Sequence, residues 1–373
     1  MRLFLDGRWL STPQQGVVTY LVGLVEAILA AKARGEAGDI ELVVGVESDA
    51  VIPANLLAAD LQFLVLGKRR KLWRQFVLPF VLAKHNIDIA HFQYVCPYIR
   101  LHARYVTSIH DVLFLSYPQM FNRKYRLTRG PTFWLAARLS DLVLALSDAS
   151  FCDIRECLGF KGWLEIVPVG SDVSIRKSEM PLNNPAVVSR KFILTVGRVE
   201  PRKNYVRLAS SYAATDLHAA GVNLVIVGWA AKEFVSEAEV FSRHPGVVWL
   251  QHVDDGELNW LYRNAAGFVF PSICEGYGIP LVEALQSGLA CATSNTYPIE
   301  DIKNVCDARF DPYDEQQIAA ALLKLMAAET EGKSTSPGRD GSVQAVLNQY
   351  SWDRACEKYL SLIRQLAEKM RGR

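Results

Sequence analysis

What most limits the fold of this chain is a rhythm. Short, continuously apolar runs alternate with segments of helical spacing from one end to the other. The runs that read as strands are Arg2–Asp6, Ile40–Gly45, Leu61–Leu66, Ile87–Phe92, Tyr105–Ile109, Leu142–Leu146 and Leu164–Val169, then Lys191–Val196, Leu224–Val227, Val248–Gln251, Phe268–Phe270 and Ala290–Thr293. Many are apolar at consecutive positions, which suits strands covered on both faces, as in parallel sheets. Between them lie helical segments such as Val17–Ala33, Leu72–His85, Phe133–Leu139, Glu257–Ala266 and Gln316–Met326. Strand and helix in repeated alternation predict an α/β, doubly wound architecture.

One stretch breaks the rhythm. Residues 170–190 are polar, carry two prolines and show no period, which is linker composition. This predicts an N-terminal domain over 1–170 and a second domain over 171–350. A further break over Glu329–Gly341 precedes a terminal helix, 351–373, around Trp352–Met370. The first 170 residues carry 19 basic and 15 acidic side chains, so the N-terminal part is the basic one. Two doubly wound sheets facing a cleft would place ligands outside the carboxyl ends of their strands.

Composition excludes several classes. Of 373 residues, 50% are apolar and 21% charged, as in ordinary soluble domains. A formal net charge of +2 argues against a protein whose main task is to neutralise a nucleic-acid backbone. The seven cysteines form no C-x-x-C pair and read as reduced thiols. Asp6 interrupts the only candidate signal-peptide core, and the apolar stretch Val17–Ala31 is broken by Thr19, Gly23 and Glu26. The expected location is cytoplasmic, with room for a peripheral position at the inner face of the plasma membrane.

Three segments carry chemistry. The first, after the strand ending at Phe270, reads Glu275-Gly276-Tyr277-Gly278-Ile279-Pro280 and continues to Glu283 and Gly288. Pro280 favours a helix start and Gly288 a helix stop. Glycines ahead of a helix N-terminus let backbone N–H groups approach an anion. Carboxylates accept hydrogen bonds from hydroxyl groups, so Glu275 and Glu283 suit sugars and riboses; the alternative is an ordinary strand–loop–helix joint. The second segment, Gly197-Arg198-Val199-Glu200-Pro201-Arg202-Lys203-Asn204, places Arg198 and Lys203 on one loop. Fixed cations there would stabilise a leaving diphosphate as its charge grows; the alternative is a solvated basic loop. Arg202 receives no role. The third has His110 and Asp111 directly after a strand, where a histidine is either structural or a ligand contact.

The run Glu-Gly-Tyr-Gly-x-Pro-x-x-Glu-Ala over 275–284, and the Gly-Arg-x-x-x-x-Lys-Asn element over 197–204, resemble the signatures of the retaining nucleotide-sugar glycosyltransferases of family four, also called group 1. That family has the GT-B fold, two doubly wound Rossmann-like domains facing a cleft. The resemblance implies catalytic roles for Glu275, Arg198, Lys203 and His110, the histidine contacting the donor sugar. It implies that Gly276, Tyr277 and Gly278 lie at the donor, that Glu283 binds the ribose, and that backbone near Val253 frames the base. Asp111 would orient His110 or the acceptor hydroxyl. Gly16 would offer its amide to the diphosphate, although Gln15 stands where the family usually has a second glycine. Family-four enzymes need no metal, and none is expected here.

Residues Leu72–Pro79 and Asp88–Phe92 resemble bacterial polysaccharide mannosyl- and rhamnosyltransferases. This suggests GDP-mannose as donor and a lipid-linked or polysaccharide glycan acceptor in O-antigen, that is lipopolysaccharide, or exopolysaccharide synthesis. A GT-B sugar-nucleotide epimerase and a non-catalytic nucleotide-sugar-binding protein are the alternatives. Lys68–Arg74 holds five cations before an apolar helical pattern. Residues 68–81 read either as a helix lying on an anionic membrane surface or as a solvated charge run before a core helix.

Overall fold

The computed structural model of the chain describes residues 1–11, 16–57, 61–66, 71–171, 184, 187, 189–330 and 341–371. Two compact units emerge, Met1–Gly170 with Tyr350–Arg373, and Ser171–Gln349.

The first unit is built on one sheet of β1 (Arg2–Asp6), β2 (Glu41–Glu47), β3 (Gln62–Leu66), β4 (Ile89–Gln93), β5 (Arg104–Ser108), β6 (Leu142–Ala145) and β7 (Leu164–Ile166). Their order is β3-β2-β1-β4-β5-β6-β7, with every pairing parallel. Phe4, Phe92, Tyr105, Val143 and their neighbours form its dry core. Helix α1 (Gly16–Ala33) is long and apolar enough to cross a bilayer by length and composition, but half of it is buried. Tyr20, Leu21, Leu24, Val25 and Ile28 are all buried. Where the sequence predicts one helix over Leu72–His85, the chain forms two, α2 (Lys71–Phe76) and α3 (Leu78–Lys84). Pro79 near the start of α3 supplies no amide for continuous helical bonding through Val77. Much of the basic run that includes Lys68 lies outside the described residues.

Helix α4 (Arg123–Leu139) begins ten residues before the expected Phe133. Asn122 caps it, its side chain accepting the Lys124 N–H at 2.8 Å. The terminal helix α10 (Trp352–Arg371) packs in this unit. Its Trp352 ring fills the space where a Cβ on Gly23 would stand, 2.1 Å from Cζ2, and also crowds Gly170.

The second unit contains β8 (Lys191–Val196), β9 (Val222–Val227), β10 (Val247–Leu250), β11 (Gly267–Phe270), β12 (Cys291–Ser294) and β13 (Ala308–Phe310). They run parallel in the order β10-β9-β8-β11-β12-β13. Helices α6 (Tyr205–Ala213) and α9 (Glu315–Thr330) pack against each other on this sheet, and Leu208, Tyr212, Ile318 and Leu322 belong to its core. The sheet order reverses between β8 and β11, where the chain winds first one way and then the other. A doubly wound sheet opens a crevice at the carboxyl ends of such a pair. In the first unit the same reversal falls between β1 and β4.

Candidate active site

Because β8 and β11 are direct neighbours, paired Ile193 with Gly267 and Leu194 with Phe268, their following loops must meet. Close approach is built in. A Cβ on Gly228, after β9, would lie 1.9 Å from the Gly197 carbonyl oxygen, so only glycine fits. After Gly197 the chain makes a 3-10 turn over Pro201–Lys203 and reaches Asn204 in the left-handed region, φ 62°. Asn204 Nδ2 donates to Pro271 O at 3.2 Å and Pro312 O at 2.7 Å, fastening this loop to those after β11 and β13. Ile273 N donates to Arg202 O at 2.7 Å and adds a backbone tie.

That joint brings a chain of alternating charges together. Lys203 Nζ lies 2.5 Å from Glu275 Oε1, and Arg202 Nη1 lies 2.8 Å from Glu275 Oε2. Arg202 Nε lies 2.8 Å from Glu200 Oε2, and Glu200 Oε1 lies 3.2 Å from Arg198 Nη2. The side chains of Lys203 and Glu275 are nearly covered, whereas the Arg198 side chain is 40% exposed. Burial favours the neutral form of Glu275, but the charges of Arg202 and Lys203 outweigh it and hold the carboxyl down at about 2. Burial also pushes the Lys203 ammonium below its ordinary value, with Glu275 resisting. Three cations face two carboxylates, so an anion arriving beside Arg198 meets an excess of positive charge. Arg198 lies 5.5 Å from the Trp229 ring.

The loop beyond Glu275 passes Gly276 and the buried Tyr277 to Gly278, which stands in the left-handed region at φ 90° and ψ 52° and starts α8 (Ile279–Gln286). A Cβ on Gly278 would lie 2.6 Å from Tyr297 Cε2, so space as well as conformation requires glycine. Pro280 sits in the first turn of α8, where its missing N–H costs nothing. Glu283 is buried, and the Tyr262 hydroxyl donates to its Oε2 at 2.9 Å. Tyr262 lies on α7 (Asp255–Asn264), which opens with a capping box: Glu257 N to Asp254 Oδ1 at 2.7 Å and Asp254 N to Glu257 Oε2 at 2.9 Å. Val253, directly before this cap, is half-buried.

In the first unit the polar groups gather beyond β1, β4 and β5. His110 is buried, and its Nε2 lies 2.7 Å from Gln93 Oε1, so the proton sits on Nε2. Burial pulls this imidazole down to about 3 and keeps it neutral. Its neighbour His91 is likewise about 3, through burial and the proximity of His110. His91 Nε2 meets Ser108 Oγ at 2.8 Å, and its Nδ1 meets the Tyr359 hydroxyl of α10 at 3.0 Å. Asp111 Oδ1 accepts Leu113 N at 3.3 Å. Gly16 is the exposed first residue of α1, while Gln15 lies outside the described residues.

Thus Glu275 and Lys203 touch each other, Gly276–Gly278 lie on the same loop as Glu275, and Glu283 lies in the helix that follows. Arg198 joins them through Glu200. His110, Asp111 and Gly16 belong to the other unit. Sequence reasoning passed over Arg202, Glu200, Tyr262 and Gln93. Arg202, Tyr262 and Gln93 act through partners distant in sequence, whereas Glu200 pairs with Arg198 and Arg202 on its own loop. Among the described residues, no three His, Cys, Asp or Glu side chains come together as a metal site.

Comparison with known proteins bears on the family and the fold. The family described as "Glycosyltransferase Family 4" matches residues 16–175, and "Glycosyl transferases group 1" matches residues 178–337. The O-antigen chain mannosyltransferase B of Escherichia coli is 25% identical over 260 residues, 67% of each chain. Sucrose-phosphate synthase 1 of Arabidopsis thaliana is 29% identical over 47% of this chain but only 18% of its own length. The solved sucrose-phosphate synthase of Thermosynechococcus elongatus superposes with a TM-score of 0.74 at 18% identity, covering 98% of this chain and 99% of the other. With both family matches in register with its two parallel sheets, the chain belongs to the group 1, family-four glycosyltransferases of GT-B fold.

Proposed function

We propose that the protein transfers mannose from GDP-mannose, with retained anomeric configuration, to a lipid-linked or polysaccharide acceptor. The observation that carries the reading is the Glu275 carboxylate held ionised between Lys203 and Arg202 at the β8–β11 reversal. The mannosyl assignment is supported by the likeness to an O-antigen mannosyltransferase. In this reading Glu283 takes the ribose hydroxyls and the loop amides of Gly276–Gly278 face the sugar. Backbone near Val253 frames the base. Arg198 and Lys203 meet the diphosphate as the C–O bond breaks, so no metal is needed. The departing phosphate oxygen accepts the acceptor's proton while the new bond forms on the same face. Gly16 offers an amide to the substrate, and His110 and Asp111 serve as polar contacts for its hydroxyls. Residues 68–81 hold the enzyme to an anionic membrane surface where a lipid-linked acceptor would reside.

A glucosyl donor is the second reading, favoured by the likeness to sucrose-phosphate synthases. Incubation with a panel of GDP- and UDP-sugars, with and without a chelator, tests both. Slow hydrolysis of GDP-mannose to the retained anomer, unaffected by chelation, is expected. Preference for UDP-glucose would replace the donor, isomerised product would indicate an epimerase, and tight binding with no turnover would leave only a binding protein.

A further inference from the structure

Helix α4 exposes large apolar side chains among its cations. Its core face is made by Phe133, Ala136 and Ala137, all buried. At 3.6 residues per turn, Arg123, Leu127, Pro131, Trp134 and Arg138 fall on one line along the opposite side. All five are exposed, Leu127 by 66% and Trp134 by 46%. An amphipathic helix of a soluble domain keeps such a stripe polar. The charges on α4 are equally one-sided, since Arg123, Lys124, Arg126, Arg129 and Arg138 meet no Asp or Glu within the helix. Arg138 lies 3.9 Å from the Trp134 ring centroid, so the ring carries a cation against its face.

A further segment of this unit meets the inner face and the C-terminal end of the helix. Cys96 Sγ reaches Ala136 O at 3.6 Å, and Arg100 Nη1 reaches Leu139 O at 3.5 Å. Tyr98 N donates to Gln75 Oε1 of α2 at 3.0 Å. Segment 96–101 therefore bridges α4 to α2, and it exposes Tyr98 and Leu101. On the far side Phe76 and Phe80 are exposed, Phe80 by 58%. Exposed apolar side chains rimmed by arginine and lysine mark an interaction surface.

Charge and apolarity together select the occupant. A nucleic acid or an anionic polysaccharide would use the cations and could stack on the aromatic rings, but gains nothing from the exposed Leu127. The interface of an anionic bilayer uses both: phosphate headgroups for the cations, and the headgroup–acyl boundary for the apolar stripe. We propose that the outer stripe of α4 docks on an anionic membrane and inserts Leu127 and Trp134 at its interface. This deepens the membrane part of the proposed function, moving the principal contact from the 68–74 charge run to α4. It is independent of the donor.

Co-sedimentation of the full chain with phosphatidylcholine vesicles, with and without about 30% phosphatidylglycerol, tests it. Binding at least about tenfold stronger to the anionic vesicles is expected. Arg123→Gln with Arg138→Gln should weaken it about fivefold per cation. Leu127→Ser with Trp134→Ser should weaken it at least about tenfold at unchanged melting temperature. Should the serine variant melt early, Trp134→Phe in wild-type background supplies the second readout. Brominated lipid should quench wild-type emission and lose a distinct part of that quenching in the variant. Equal binding to both vesicles, unchanged binding of both α4 variants, or a quenching pattern unaltered by Trp134→Phe would overturn the proposal. So would retention on DNA or an anionic polysaccharide that matches the vesicles and depends on the cations alone. Sugar-nucleotide hydrolysis without vesicles should be the same in all these variants, so its failure in wild type would strike the glycosyl-transfer reading and leave this one standing.

Discussion

The two units present opposite solutions to burying polar groups at the ends of parallel strands. Beyond β8 and β11, charge is kept and paired: Glu275 sits between Lys203 and Arg202 and stays ionised down to about 2. In β4 and directly after β5, two imidazoles are kept uncharged: His91 and His110 are held neutral, near 3, inside hydrogen bonds to Ser108, Tyr359 and Gln93. The charged arrangement tolerates acid but depends on both partners. The neutral one tolerates loss of a partner better but not acid. A diphosphate needs fixed cations, which makes the first solution the natural one for a donor site, whereas hydroxyl groups can be met by neutral donors and acceptors.

The sharpest way to break this contrast is to remove one charge. Glu275→Ala leaves Lys203 buried without its nearest counter-charge. It should cost about 3–5 kcal/mol of unfolding free energy, and at least about 2 kcal/mol of transition-state stabilisation in whatever remains folded. Glu275→Leu combined with Lys203→Met should recover much of the stability and none of the activity. Urea denaturation and kcat/KM read the two apart. If the double variant were no more stable than Glu275→Ala, the pair would not be the coupled unit described.

Acid comes next in size. A histidine held at about 3 in the folded state and near 6.5 when unfolded binds fewer protons folded than unfolded between those values. Its stabilisation is therefore complete above about 6.5 and is lost as pH falls towards 3. For Glu275, depressed from 4.5 to about 2, the stabilisation is complete above about 4.5 and is lost progressively as pH falls from there to about 2. Between pH 7 and pH 5 the first unit should lose about 2 kcal/mol or more, and the second unit nothing from this carboxylate. Hydrogen exchange along β4, β5, β8 and β11 would show it. Equal loss of protection in the two sheets would end the comparison.

How much of this could be read beforehand follows the range of the interactions. Twelve strands were visible as apolar runs, because a parallel strand buried on both faces advertises itself at consecutive positions. β13, three residues with an exposed Arg309 at its centre, carried too little signal. The loops bearing Glu275 and Lys203 were legible as glycine, proline and charge placed directly after strands. Their contact follows from β8 lying beside β11, and no local pattern encodes that adjacency. The same holds for Arg202, which reads as one more surface cation until Glu275, 73 positions away, is found on its guanidinium. Gln93 as the partner of His110 was equally invisible, since the neighbour in sequence, Asp111, offered a plausible carboxylate that instead caps Leu113.

A smaller change probes the donor side without deleting a charge. Tyr262→Phe removes the hydroxyl that donates to Glu283 Oε2 and should cost about 1.5–3 kcal/mol, because the bond goes to a carboxylate. If Glu283 serves the ribose, weaker GDP binding should accompany that loss, with the rate at saturating donor little changed. A fall in kcat alone, at constant affinity, would detach Glu283 from nucleotide binding.

Tyr359→Phe should give the smallest effect, and it tests the neutral solution on its own terms. With the imidazole proton on Nε2, the phenol of α10 donates to His91 Nδ1 at 3.0 Å while Nε2–H donates to Ser108 Oγ at 2.8 Å. Removing the phenol oxygen deletes one neutral hydrogen bond, about 1 kcal/mol, and leaves Nδ1 as a buried acceptor without that donor. An unsatisfied Nδ1 is easier to protonate than a satisfied one, so the histidine should rise from about 3 and the acid-induced loss should become shallower. The variant should therefore lie about 1 kcal/mol below wild type from pH 7 down to about 5 and converge with it only as pH falls below about 4 towards 3. Parallel stability curves, offset equally at every pH, would mean that the Tyr359 hydroxyl does not hold His91 neutral and that burial alone does so.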